Sequence, residues 1–291
     1  MDDKGSEHLQ LCAKHGLSYF IQTSSFNILF DCGSDGTAVE NAKRMNVPFQ
    51  TADCVICSHS HYDHSGGFPD FIQAGVKPVL YTGKEFFEPK YAYDGVKYTY
   101  LGAGFDEEYL AEHRVCHKEC RDFLKLYDNC YLFGSFDRTH TCETIPKRFV
   151  KGNPPACHPD NFDDEICLAL STSRGLVVVV GCSHPGILNM LTVVSNTLHE
   201  PIYAVLGGTH LMEANNERIQ YTIDEMRKMG LKIIGLSHCS GDAAQTLVQS
   251  SDKVQGCHLA VGDCFAVDRR ELFRPSLIFN AEFPAFPWNP G

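Results

Sequence analysis

Residues 54 to 67 read Cys54-Val55-Ile56-Cys57-Ser58-His59-Ser60-His61-Tyr62-Asp63-His64-Ser65-Gly66-Gly67. The apolar start has the length of a buried strand, and it runs directly into a histidine. In an extended segment residues two apart face the same way, so His59 and His61 are spaced to bind one ion. The turn that follows presents Asp63 and His64 to another, and the paired glycines let a helix start closely beneath. Imidazole with carboxylate suits zinc or iron. Two such ions about 3.5–4 Å apart share a hydroxide nucleophile and stabilise a leaving oxygen.

Three further apolar runs end the same way. They are VVVVGCS before His184, AVLGG-Thr209 before His210, and KIIGLS before His238. Sites in α/β sheets assemble at the carboxyl ends of strands, so four histidines in that position are expected to converge despite their separation in sequence. One strand-ending histidine would be an ordinary loop residue; four in the same relation to their strands call for a common cause.

The rest of the chain supplies the layers such a site needs. SYFIQT and FNILFDCG read as a hairpin from Leu17, followed by a helix near Thr37 to Met45, a helix around Pro69 to Ala74 and the strand KPVLYTG. The second half alternates GLVVVVG, a helix near Ile187 to Leu198, IYAVLGG, a helix near Glu217 to Met229, and KIIGLS. That is an α/β layout with helices covering sheets, here read as a single domain over 1–291. Between about 104 and 159 periodicity fails and Cys, His, Tyr and Phe abound, which predicts an insertion or lid beside the site. The Pro- and aromatic-rich stretch at about 272–291, with the only Trp, is expected to pack as a tail.

Composition bounds the function. A chain of 291 residues, 43% hydrophobic and 21% charged, can bury a sizeable core unaided. A formal charge of -11 without clustered Lys and Arg argues against nucleic acid as a partner. The polar first ten residues lack a secretory pattern, and Leu176 to Val180 is far shorter than the roughly 20 residues of a membrane span. The expectation is a cytoplasmic protein, off the membrane, whose partner is a small-molecule substrate; oligomeric state is not encoded legibly. Fourteen cysteines then read as reduced thiols. Cys54 and Cys57 fall on opposite faces of one strand and serve packing. Cys116, Cys120, Cys130, Cys142 and Cys157 crowd the irregular segment, where an iron–sulfur cluster or structural zinc competes with plain thiols, although their spacing fits neither a ferredoxin run nor a zinc ribbon.

The string His-Ser-His-Tyr-Asp-His resembles the HxHxDH motif of the metallo-β-lactamase superfamily. DDE-ICLAL, VVVVGCSHPGI, AVLGGTHL and GLSHCSG are similar to one branch, commonly labelled dihydropterin ribofuranosylaminobenzene phosphate synthase, over roughly Leu11 to Gly262. The resemblance implies a four-layer αβ/βα sandwich of two mixed sheets with one or two divalent metals at one edge. It implies His59, His61 and His184 at the first metal and Asp63, His64 and His238 at the second, with Asp31 supporting them from behind. A turn-capping role is the alternative for Asp31. The superfamily commonly supplies a bridging Asp where this chain has Thr209 and His210, so His210 is expected to stand in for it as a ligand. Cys182 and Cys239 sit beside ligands in the branch motifs, in supporting positions. Relatives usually open with a strand that this N terminus lacks, so the first sheet is expected to lose an edge strand or the chain to be a shortened form.

The resemblance leaves the substrate open. The function expected is a metal-dependent hydrolase that uses a metal-bound hydroxide on a small, phosphorylated or anionic metabolite, with Asp63 also handling a proton. His61 stands where diiron oxygen-reducing members typically carry Glu, which favours hydrolysis. The phosphate expectation rests on the branch label and on the Gly207-Gly208 amides. Two other readings stay open: a redox or electron-transfer protein with iron and an iron–sulfur cluster, and a noncatalytic ligand sensor.

Overall fold

The computed structural model describes residues 1–3, 10–250 and 254–267. The expected tail at 272–291 lies outside them. Two sheets face each other across an apolar layer. The first is ordered β1 (Tyr19–Gln22), β2 (Asn27–Phe30), β3 (Cys54–Ile56), β4 (Val79–Gly83), β7 (Cys116–Cys120), parallel except for the β1–β2 hairpin. The second is ordered β16 (Gln255–His258), β15 (Ile233–Leu236), β14 (Ile202–Gly207), β13 (Gly175–Val180), β12 (Cys167–Thr172), β9 (Cys130–Phe133), β8 (Phe123–Tyr127). Its strands β13 to β16 are parallel and the remainder antiparallel.

Strand pleating distributes the side chains over four layers. Ile28, Phe30 and Ile56 of the first sheet meet Leu168, Val177 and Val179 of the second between the sheets. The alternate residues face outward. Leu29, Val55 and Leu80 pack under α1 (Thr37–Arg44), α3 (Phe68–Gln73) and α4 (Glu107–Glu112). Val178, Val180 and Val205 pack under α5 (Ile187–Leu198), α6 (Asn216–Lys228) and α7 (Asp242–Gln249). A strand such as β13 is thus buried on both faces, which is why it is apolar throughout. The arrangement is the expected αβ/βα sandwich.

The segment at 104–159 is not one lid. Its first half supplies α4 and then β7, β8 and β9, which extend the two main sheets. β7 is an edge strand reading Cys-His-Lys-Glu-Cys, so it has no apolar alternation to betray it. The second half contributes β10 (Phe149–Lys151) and β11 (His158–Pro159) to a third, antiparallel sheet with β5 (Lys90–Tyr93) and β6 (Tyr98–Tyr100). This small sheet was absent from the two-sheet expectation. Among the described residues nothing pairs beyond β1 at the edge of the first sheet. No helix among them is long and apolar enough to cross a membrane.

Lys90 anchors the small sheet to the body. Its ammonium, 2% exposed, lies 2.5 Å from an Asp164 oxygen and 3.0 Å from one of Asp160. The other Asp164 oxygen accepts the Ser60 amide N–H at 2.9 Å, inside the histidine motif. Lys90→Ala should therefore destabilise the fold by about 3–5 kcal/mol in chemical denaturation, because two carboxylates are left buried without their cation. A loss under about 1 kcal/mol, the range of a surface pair, would show that the contact does not hold the sheet.

Candidate metal centre

Each metal-ligand candidate sits at the carboxyl end of a strand, and the local sequence explains how the chain gets there. After β3 the chain runs through Ser58 to His59, His61 caps the one-turn helix α2 (Tyr62–Ser65), and that turn carries Asp63 and His64. A side chain at Gly66 would strike the Ser34 and Tyr62 carbonyls at 2.5 Å, and one at Gly67 the Cys32 carbonyl at 2.2 Å. The paired glycines are therefore required for the helix to lie against the loop after β2. Beyond β13, Gly181 passes so close to Ser58 that a Cβ would fall 2.0 Å from its hydroxyl. Cys182, Ser183 and His184 follow, while β15 leads through Ser237 to His238.

Three groups of donors result: two are wholly buried, and a third, of Asp3, His15 and His238, lies at the more exposed border. Asp63, His64, Cys182 and His238 offer ligand atoms all within 4.8 Å of one another, as do His59, Cys182 and His184. In the first group the Nε2 atoms of His64 and His238 are 3.2 Å apart, and an Asp63 oxygen lies 3.1 Å from that of His238. His61 is in none of the groups but stands beside the second, its ring 4.7 Å from that of His59 and 5.2 Å from that of His184. His59 Nε2, His61 Nε2 and both ring nitrogens of His184 are buried without a hydrogen-bond partner. Leaving such atoms unpaired costs about 1–3 kcal/mol each, so their concentration in one place is explained by a cation. Burial pushes all three imidazoles well below their ordinary range, which leaves them neutral and competent as ligands. Burial acts upward on the Asp63 carboxyl but is outweighed by His64, His15 and His238, so the group is held ionised. Neutral imidazoles and a carboxylate fit zinc or iron.

The supports are carboxylates. Asp31 accepts from the Ser58 amide at 2.7 Å and the Ser58 hydroxyl at 2.9 Å, and stands 2.6 Å from His64 Nδ1. That contact turns His64 Nε2 into the centre. Glu165 accepts the amides of Ser183 and His184 and so fixes the turn after β13. Phe162 stacks on the His184 ring at 3.7 Å, and Phe149 stands 5.5 Å from His61 and 5.3 Å from His184. Phe149, from the second half of the 104–159 segment, and Phe162 just beyond it thus wall the site.

Other expectations fare differently. His210 belongs to no donor group; its ring stands beside that of His184 at 4.4 Å, with Nε2 3.8 Å from a Glu213 oxygen. The Gly208 amide is spent on the Gly181 carbonyl at 2.9 Å and does not offer itself to an anion. The cysteines at 116, 120, 130, 142 and 157 form no ligand group among the described residues. Cys120 and Cys130 are buried between the sheets, whereas Cys116 and Cys142 are exposed, so the strands carry them apart. Sequence reasoning missed His15 and Asp3. His15 Nε2 lies 3.1 Å from Asp63, and Asp3 lies 2.7 Å from His238 Nδ1. Neither follows a strand, so no pattern pointed to them.

The sequence signature of the metallo-beta-lactamase superfamily matches residues 13–152. A Methanocaldococcus jannaschii protein named 7,8-dihydropterin-6-methyl-4-(beta-D-ribofuranosyl)-aminobenzene-5'-phosphate synthase is 31% identical over 258 residues, 83% of this chain and 86% of its own length. The chain belongs to the metallo-β-lactamase superfamily. An uncharacterized protein of the same organism is 28% identical, over 84% of this chain and 91% of its own. The crystal structure of a metal-dependent hydrolase of the superfamily superposes with a TM-score of 0.78 at 25% identity, covering 91% of this chain and 96% of that one. The protein is accordingly a superfamily enzyme with metal-ligand side chains gathered at the strand ends.

Asp31→Asn tests the support from behind His64. Asn tolerates the positive φ of 56° at this position but replaces an acceptor with a donor. Metal affinity, measured by chelator competition, should fall about 10- to 100-fold with the fold retained. Unchanged affinity would show that His64 is oriented by something else.

Proposed function

We propose that this enzyme is a metal-dependent hydrolase of a small, anionic, phosphorylated metabolite. The observation that carries the proposal is the convergence of His59, His61, His184, Asp63, His64 and His238, several with buried nitrogens that have no partner in the protein. His59, His61 and His184 would hold one ion and Asp63, His64 and His238 another. Zinc or iron bound there supplies Lewis acidity, polarising the scissile group and lowering the pKa of water toward neutrality.

The chain's own residues do the rest. Phe149 and Phe162 exclude water from the imidazole side of the pocket. Asp63 Oδ2 is placed to hold a proton released during attack, and His15 Nε2, 3.1 Å away on a half-exposed ring, offers the exit to solvent. Arg148 supports the anionic substrate class. Its guanidinium lies 4.1 Å over Phe149, the ring that borders His61 and His184, and it is 40% exposed while paired with Glu213. The phosphate in the name of the Methanocaldococcus relative supports the same class. A cytoplasmic setting, where fourteen reduced thiols persist, belongs to the proposal.

The test is a screen of phosphate-bearing esters, thioesters and amides with metal-stripped protein reloaded with zinc or ferrous iron. His59→Ala should lower metal-dependent turnover at least about 100-fold, beyond the loss of a mere supporting contact, without loss of secondary structure. Full activity and metal content in that variant would refute the site. Arg148→Ala should raise KM about 10-fold with kcat little changed, since a charge-assisted hydrogen bond contributes about 1.5–3 kcal/mol. An unchanged KM would remove Arg148 from substrate recognition.

A further inference from the structure

We propose that Cys182 is itself a metal ligand, its thiolate placed at the junction of the two ion positions where the superfamily commonly supplies a bridging aspartate from another loop. The inference rests on the metal-site reading above and adds a ligand to it. Cys182 is the one residue common to the two buried donor groups, with Asp63, His64 and His238 on one side and His59 and His184 on the other. Its sulfur lies 3.0 Å from His64 Nε2, and the residue is only 3% exposed.

The alternative for a buried cysteine is packing as a small hydrophobe. That describes Cys54, Cys57, Cys130 and Cys167, each of which belongs to one of the three apolar clusters. Cys182 belongs to none of them, and the sulfur's close neighbours are imidazole nitrogens, a carboxylate oxygen and the Cys239 thiol. The adjacent Cys239 supplies an internal contrast. Its sulfur accepts the His210 amide at 3.3 Å, faces the Cys182 carbonyl at 3.8 Å and touches the Cys182 thiol, yet it enters no donor group.

Charge gives the arrangement a purpose. With His210 facing Glu213, Asp63 is the only carboxylate in the two buried donor groups, Asp3 lying behind His238 in the more exposed third. A thiolate brings a second negative charge and a soft donor with more than one lone pair, as a shared position between two dications requires. Binding exchanges the sulfur-bound proton for a metal–sulfur bond, and the proton leaves to solvent with no change of oxidation state.

The experiment adds cobalt(II) to reduced, metal-stripped full-length protein and follows the near-ultraviolet thiolate-to-cobalt charge-transfer band over the first two equivalents. The band should appear in the wild type, persist in Cys239→Ala and be lost in Cys182→Ser. Zinc X-ray absorption of the wild type, which needs no variant to fold, should show a sulfur shell at about 2.3 Å beside nitrogen and oxygen at about 2.0–2.2 Å. Bound metal with only nitrogen and oxygen neighbours, or a band that survives in Cys182→Ser, overturns the proposal while leaving the histidine site standing. Failure of the wild type to retain any metal overturns both.

Discussion

One buried carboxylate registers the active edge of the first sheet. Asp31, at the end of β2, takes the amide and hydroxyl of Ser58 at the end of β3 and meets His64 on the helical turn beyond. Moving any one of these groups would strand the others, since a buried anion without its donors is costly. The metal-facing direction of His64 is therefore a property of how two strands end, not of the histidine alone. Gly181 completes the constraint by letting the second sheet's chain pass against the same Ser58 hydroxyl.

The second sheet repeats the device with different residues. Glu165, at the entrance to β12, fixes the Ser183 and His184 amides at the exit from β13. Asp164 beside it fixes the Ser60 amide of the opposite sheet and pairs with Lys90. The acidic run at 163–165 is thus a clasp between the two halves, and buried carboxylates hold the backbone on which the imidazoles stand. The Lys90–Asp164 pair contributes little net stability compared with a packed apolar core, whereas burial pushes the Glu165 carboxyl well up and its hold on the backbone is through the two amides.

Much of this was legible in the sequence because strand pleat and the histidine spacing are local. The runs ending at His59, His184, His210 and His238 showed both the α/β layers and the edge where the side chains gather. What local pattern cannot show is which way a side chain turns at the end of its strand. His210 follows the same rule as His184 yet enters no donor group, its Nε2 lying 3.8 Å from a Glu213 oxygen. Edge strands were equally opaque. β7 alternates nothing apolar, since one side of it meets solvent, and it passed for irregular chain. His15 and Asp3 reach the site by tertiary contact alone.

The two halves of the centre differ physically, and the difference bears on how they would divide the chemistry. The side formed by His59, His61 and His184 is enclosed by Phe149 and Phe162, and its imidazoles are driven neutral by burial. The side formed by Asp63, His64 and His238 is backed by the carboxylates of Asp31 and Asp3, with half-exposed His15 at its border. A dry, neutral shell favours strong polarisation of a bound group, because little competes with the cation's field. An anionic shell with a half-exposed imidazole at its border favours holding charge and exchanging protons. Under the proposed function, electrophilic work would fall to the aromatic side and proton handling to the carboxylate side, with Cys182 shared by the two buried donor groups.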